Sequence, residues 1–345
     1  MSNGQMQSSE YAMEPSPHLM MMQGLKERLR GITSVLPPSR PIVYLDYPVH
    51  NNVGDLLIHQ GADAFLDDYG YSVLGRFSMH DFTRRGRHDE AQVVLKPSIR
   101  DLDGLVQRGC AIVLHGGGNF GDVWPQFQAF RELIIARYPE TPIVILPQTI
   151  HFDSIAQRGR SARLLSAHRQ LYIFVRDRES LAFLREANAG GELMPDMAHQ
   201  LWGRPELSVP GPEHGTLVVR RRDRESRNMA GAVQFDWDEL NSAVSRFTLR
   251  ALRKWQTIDN PLRHSVPNYL LWRLYRDRLV ARAVARFRPF ATIDTDRLHG
   301  MILAALMNKE VRYNEGSYGK LQRYAGLWLG GSDRIGTGVM PSAAE

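Results

Sequence analysis

A single cysteine, Cys110, leaves the 345-residue chain no means of forming an internal disulfide. It sits in an apolar run just before a predicted strand, so it is expected in the core, in a reducing, cytoplasmic setting. Long apolar runs are also missing. None approaches the ~20 residues needed to cross a bilayer, so no transmembrane helix is predicted. The segment around Met20-Met21-Met22 lacks the basic start, long apolar core and small-residue cleavage site of a secretory leader. No Gly-x4-Gly-Lys-Ser/Thr loop occurs, and no Gly-x-Gly-x-x-Gly follows the first predicted strand, which argues against a P-loop enzyme and a dehydrogenase. Histidines and carboxylates never fall at zinc-ligand spacing, so no metal site is predicted. No nucleic-acid-binding motif is present, so no nucleic-acid partner is expected.

What is present is ordinary for a globular chain: 43% hydrophobic and 23% charged residues, with a net charge of +6 that favours acidic ligands or surfaces. The length suits two domains. Residues 1–38, rich in Met, Ser, Pro and Gln, read as a mobile tail with a short helix near Leu25 to Leu36. From Pro41, strands alternate with helices. The strands expected are Ile42–Leu45, Gln92–Leu95, Ala111–Leu114, Ile143–Leu146 and Tyr172–Val175. The helices expected are Leu56–Tyr69, Gln126–Arg137, Ser161–His168 and Arg178–Ala187. The Pro/Gly-rich passage from Gly203 to Gly215 suits a linker. A second series follows: strand Thr216–Arg220, helices near Trp237–Lys254 and Tyr269–Arg286, strand Phe290–Ile293, helix Leu298–Leu306, strand Val311–Tyr313 and a last helix. The expectation is an α/β protein of two Rossmann-like domains, 39–205 and 206–335, facing across a cleft, with a tail at 336–345.

The most informative segment is Asp296-Arg-Leu-His-Gly300, between a predicted strand and a predicted helix. In an open α/β sheet this corner is where ligands bind, and the helix N-terminus favours an anion. Arg297 adds a bidentate fork and His299 a group able to move a proton near neutral pH. An Arg–Asp pair capping a helix beside a core histidine would account for the residues one by one; the cluster points to a site for a small anion. Asn51-Asn-Val-Gly-Asp55 stands at the end of the first strand. There Gly54 permits close backbone approach, and Asp55 either caps the helix or binds a ligand hydroxyl. His115-Gly-Gly-Gly-Asn-Phe-Gly-Asp122 exposes backbone N–H groups after strand Ala111–Leu114, unless it is only a tight turn. The His-Gly-Gly-Gly run has the look of an esterase oxyanion loop, but no Gly-x-Ser-x-Gly elbow accompanies it, so a hydrolase is disfavoured.

Taken in order, Asn52-Val-Gly-Asp55, His115 to Asp122, Leu146-Pro-Gln148, Val175-Arg-Asp-Arg-Glu-Ser180, Pro195-Asp196, Asp296 to Gly300 and Asn314-x4-Gly-Lys-Leu321 resemble the polysaccharide pyruvyl transferase family, in particular members that decorate bacterial exopolysaccharides. The resemblance covers about residue 40 to 330. It implies a GT-B-like fold and transfer of the pyruvyl group of phosphoenolpyruvate onto two hydroxyls of a sugar, giving a cyclic ketal and phosphate. It implies a donor site at Arg176, Arg297, Leu298 and His299, although Arg176 alone is equally suited to pairing with Asp177 or Glu179.

Such chemistry needs cationic forks for a phosphate and a carboxylate, an acid for the methylene carbon, and a base for the hydroxyls. His299 is the first candidate for proton transfer, aided by Asp296 or Asp55. Gly54, Asp55, Gly116, Gly117, Gly118, Asn119 and Asp122 are candidates for the acceptor side, with Phe120 and Trp124 as stacking rings. No cofactor is required, since phosphoenolpyruvate is a substrate and leaves its phosphate by C–O cleavage; a divalent ion remains compatible with the chemistry. The acceptor expected is a lipid-linked oligosaccharide or polysaccharide. The arginines at 273, 276, 282 and 286 suggest peripheral contact with an anionic membrane, at its inner face; a solvated helix face is the competing account. A glycosyltransferase using a nucleotide-sugar donor is the alternative enzyme.

Overall fold

Stretches in which every residue is buried, such as Ile42-Val-Tyr-Leu45 and Ala111-Ile-Val-Leu114, need apolar cover on both faces, and only the interior of a parallel sheet supplies it. The computed structural model describes residues 15–85, 93–208, 211–220, 233–257, 268–314 and 319–338. Its strands are β1 Ile42–Leu45, β2 Val73–Phe77, β3 Thr83–Arg85, β4 Val93–Leu95, β5 Ala111–Leu114, β6 Gly117–Gly121 and β7 Ile143–His151. They continue with β8 Leu171–Val175, β9 Gly190–Leu193, β10 Thr216–Val219, β11 Val233–Phe235, β12 Thr292–Thr295, β13 Glu310–Tyr313 and β14 Ile335–Thr337. The first sheet has the order β2-β1-β5-β7-β8-β9, with β6 beside the far end of β7; the second has the order β11-β10-β12-β13-β14. All pairings in both sheets are parallel. The chain is therefore an α/β protein with parallel sheets and crossover helices.

Several expectations are corrected. The strand expected at Gln92–Leu95 does not enter the first sheet: β4 pairs antiparallel with β3 in a separate ribbon. Its residues are only half-buried, too little for a sheet interior. The glycine stretch after β5 is itself a strand, β6, rather than an open loop. Of the tail expected at 1–38, residues 1–14 lie outside the described residues, and residues 17–36 are packed rather than free. Ser16 caps the helix Pro17–Leu29, whose Met22, Leu25 and Leu29 are buried together with Ile32 and Leu36. His18 is fully buried: its Nε2–H donates to the Ala305 carbonyl (3.0 Å), which leaves Nδ1 to accept from the Ser332 hydroxyl (2.8 Å). At the other end, residues 336 and 337 belong to β14 rather than to a tail.

The two sheets share a continuous apolar core. It runs from Tyr44 and Val113 through the helix Val53–Asp68 and the turn Met197–Leu201 to Leu217, Ile293 and the helix Leu298–Leu306. Gly61 is required there, because a Cβ would stand 2.1 Å from the Met197 carbonyl oxygen. One buried ion pair crosses the same junction. Arg276, from the helix Asn268–Phe287, donates to Asp63 (2.6 Å) and to His59 Nδ1 (2.8 Å), and Tyr269 also donates to Asp63. Arg276 is thus not part of an exposed basic face. Arg282 is likewise engaged, with Leu240 and Ser245, and Arg286 lies over the Phe235 ring. Arg76 Nε also lies 3.4 Å from Asp63, so the carboxylate keeps a second cation when Arg276 is truncated. Losing the charged hydrogen bond itself costs about 1.5–3 kcal/mol, and Arg276→Ala should lower the urea-unfolding free energy by that amount.

Candidate active site

Two helices, one following a strand of each sheet, begin close together. Asn52, whose side chain accepts from Gly54 N (3.1 Å), caps the helix Val53–Asp68 after β1, and the helix Leu298–Leu306 begins after β12. Gly54 in the first turn of one touches His299 in the first turn of the other; a Cβ on Gly54 would lie 2.6 Å from His299 Nδ1. Two helix N-termini therefore meet at one point, and their unsatisfied N–H groups and dipoles together favour an anion.

A cavity of about 1040 Å³ opens at this point. Of the residues expected at the site, Asp55, Gly118, Asn119, Arg176, Asp296, Arg297, Leu298 and His299 all line it. Arg297 reaches across to the buried Asp236, and its backbone N–H donates to Thr295 Oγ1 (3.0 Å). Arg176 enters from the end of β8, and its Nη2 lies 3.4 Å from where a Gly118 Cβ would be, an ordinary contact distance. Asn119 holds its side-chain oxygen against Arg131 (2.8 Å), and Asp55 pairs with Asn52 (2.9 Å) and His50 (3.5 Å).

The carboxylate hydrogen-bonded to His299 is Asp196, after β9, a residue of the Pro195-Asp196 motif to which the sequence assigns no role; Asp55 and Asp296 line the same cavity. Asp196 Oδ2 accepts from both Arg176 and His299 Nε2 (3.3 Å), while Oδ1 accepts from Ala198 N (2.9 Å). Arg176 is thus paired with Asp196, not with Asp177 or Glu179. Burial works against ionisation of Asp196, but the Arg176 guanidinium and the His299 hydrogen bond outweigh it and hold the carboxyl well below the usual carboxylate range. Behind this group, Asp196 N donates to the Tyr324 hydroxyl (3.0 Å), which in turn bonds His199 Nε2 (3.0 Å).

Other expected residues play structural parts. Gly116 lies against Pro147, where a Cβ would come 2.8 Å from the carbonyl oxygen. Gly117 has a left-handed backbone, φ 126°, that only glycine adopts readily. Asp122 lies away from the cavity lining and accepts from Asp153 N (2.9 Å) and Ser154 N (2.7 Å). Phe120 is buried beneath Arg131, so it offers no stacking face; Trp124 is 55% exposed on the cavity wall. His50, His80, Arg84, Trp237 and Arg253 also line the cavity and carried no signal in the sequence.

Comparison with known proteins settles the lineage. The profile of the family described as polysaccharide pyruvyl transferase matches residues 52–313. The chain belongs to that family. It is similar to EpsO of Bacillus subtilis (strain 168), provisionally named a pyruvyl transferase, at 35% identity over 92% of this chain and 93% of EpsO. It is similar to pyruvyl transferase 1 of Schizosaccharomyces pombe at 26% identity over 89% of this chain and 74% of the relative. These likenesses make it a transferase. A crystal structure of an uncharacterized protein from Klebsiella pneumoniae shares the fold, with a TM-score of 0.55 at 17% identity, covering 92% of this chain and 98% of that one. Among the described residues, no helix is long and apolar enough to cross a membrane.

Two predictions follow from the site's packing. Burial lowers the pKa of His115 to about 3 and that of His199 to about 4, so both stay neutral in the fold while the unfolded chain protonates them near pH 6.5. Their folded pKa values are depressed, so the stability they permit is complete above the unfolded value and is lost as pH falls through that window. Denaturant unfolding should show a loss of at least about 4 kcal/mol between pH 7 and pH 5, and His115→Gln should remove about 2 kcal/mol of it. Gly54→Ala should push the His299 ring aside, costing about 1–3 kcal/mol and moving the ring's NMR resonances.

Proposed function

We propose that the chain transfers the pyruvyl group of phosphoenolpyruvate onto two hydroxyls of one sugar in an exopolysaccharide precursor, forming a cyclic ketal and releasing phosphate. The observation that carries this reading is the convergence of Arg176, Arg297 and His299 on one cavity at two facing helix N-termini. A donor with a phosphate and a carboxylate close together needs two separated cationic forks, and these arginines line the same cavity from different sheets. The two sheets facing across it support a GT-B-like arrangement of two domains.

In the reaction, protonation of the methylene carbon makes C2 electrophilic, the first hydroxyl adds there, and the second displaces phosphate with C–O cleavage. Of the two hydroxyl protons, one balances the new methyl group and the other leaves with phosphate. His299 is assigned the proton transfer, and Asp196, which accepts from its Nε2, orients the ring. Help of this kind is commonly worth ~10²–10⁴ in rate. The cavity is far larger than the donor, so Asp55, Gly118, Asn119 and the exposed Trp124 ring are assigned to the sugar acceptor, carried on a lipid-linked oligosaccharide at the cytoplasmic face.

Titration calorimetry provides the test, with a uridine diphosphate sugar as comparator. Phosphoenolpyruvate should bind in the micromolar-to-millimolar range, and Arg297→Ala should weaken it by ~2–5 kcal/mol. Nucleotide-sugar binding without phosphoenolpyruvate binding would overturn the reading in favour of a glycosyltransferase. With donor and acceptor present, His299→Gln should cut phosphate release by ~10²-fold or more while leaving donor binding within a few-fold.

A further inference from the structure

A helix that packs on a core ordinarily turns its polar residues outward. The helices Ala243–Thr257 and Asn268–Phe287 turn large apolar residues outward as well. Phe247 is 73% exposed and Leu274 69%, with Val244, Leu270 and Leu271 also on the surface. The inner sides of the same helices are conventional: Leu249 and Leu252 pack against the core, and Trp272, Leu279, Ala283 and Phe287 are buried in it. The two helices lie side by side, since the Tyr275 hydroxyl donates to the Ser245 carbonyl (2.9 Å) and Arg282 reaches Ser245 Oγ (3.2 Å). Large apolar residues exposed singly are ordinary, but several on adjoining helices mark an interaction surface.

We infer that this surface docks on an anionic membrane. The helix Ala243–Thr257 carries Arg246, Arg250, Arg253 and Lys254 and no acidic residue, and Arg246, Arg250 and, on the neighbouring helix, Arg278 are exposed. Apolar side chains flanked by guanidinium groups suit the boundary between acyl chains and acidic headgroups. A second copy of the chain fits less well, because a two-fold contact would bring arginines of like charge together. The basic residues of this surface differ from those the sequence suggested, since Arg276, Arg282 and Arg286 are held by the fold. The surface also adjoins the cavity: Arg253 of the same helix lines it and donates to the Val49 carbonyl (2.8 Å). Docking would set the cavity mouth beside the headgroups, where a lipid-borne acceptor would be presented. The inference stands apart from the donor assignment, because membrane capture is measured without turnover.

The test is co-sedimentation of the full chain with phosphatidylcholine vesicles, with and without phosphatidylglycerol, alongside light scattering for the oligomeric state. Binding to the anionic vesicles should exceed binding to neutral ones by about tenfold or more and should weaken with added salt. Phe247→Ser/Leu274→Ser should reduce it about tenfold or more with an unchanged melting temperature, since neither side chain is in the core. Arg246→Glu/Arg250→Glu should have an effect of similar size and abolish the preference for anionic lipid. Equal binding to both vesicles, wild-type binding by the serine variant, or a dimer that this variant splits would overturn the inference.

Discussion

The candidate site depends on one buried carboxylate. Asp196 follows the last strand of the first sheet. It holds Arg176, from the neighbouring strand, and His299, from the first turn of a helix attached to the second sheet. A fully buried charge is tolerated only when partners compensate it, and here two cationic or protonatable groups and a backbone N–H do so. The same residue is tied through its own N–H to Tyr324, and Trp328 donates to the Arg176 carbonyl (2.8 Å). Strand ends, helix start and carboxy-terminal helix are thereby fixed to one point.

This arrangement also explains the glycines. The helix Val53–Asp68 can bring its N-terminus against the His299 ring only because residue 54 has no side chain, and the Pro147 carbonyl can approach residue 116 for the same reason. Removing side chains at these positions lets backbone dipoles and cationic groups crowd into a small volume, which stabilises bound anions. In this site the glycines act chiefly by permitting close approach: Gly116 makes room for the Pro147 carbonyl, and the run continues as a strand rather than an open loop. The outer helices add another dimension. If the exposed apolar face engages lipid, the protein combines a polar cavity for the reaction with a surface that delivers a carrier-borne acceptor.

The strands legible in the sequence are those with a neighbour on each side. β1, β5, β7, β8, β10, β12 and β13 are all interior to their sheets, and all but β13, Glu310-Val-Arg-Tyr313, are buried along most of their length. Those that escaped notice are the sheet edges β2, β9, β11 and β14, β6 beside the end of β7, and β3 in the separate ribbon. Edge strands need cover on fewer sides, so Gly190-Gly-Glu-Leu193 and Ile335-Gly-Thr337 carry no apolar run to detect. The amino-terminal segment, expected as a mobile tail with a short helix near Leu25 to Leu36, is packed helix from Pro17, and its packing was illegible for a related reason. Met22, Leu25 and Leu29 are core residues only because surfaces far along the chain receive them, and local composition there suggests a tail.

The sequence by itself determined the alternation of strands and helices, the family, and the placing of Arg176, Arg297 and His299 at strand-to-helix corners. Those are local properties, set by periodicity and by the residue types that follow a strand. Only the tertiary structure decided that Asp196, 103 residues from His299, is its carboxylate partner, while Asp122 serves a turn. It also decided that Arg276 is buried in a pair with Asp63 while Phe247 and Leu274 face outward. Pairing and burial depend on which distant surfaces meet, and the packing of one helix start against another through a glycine sets that here.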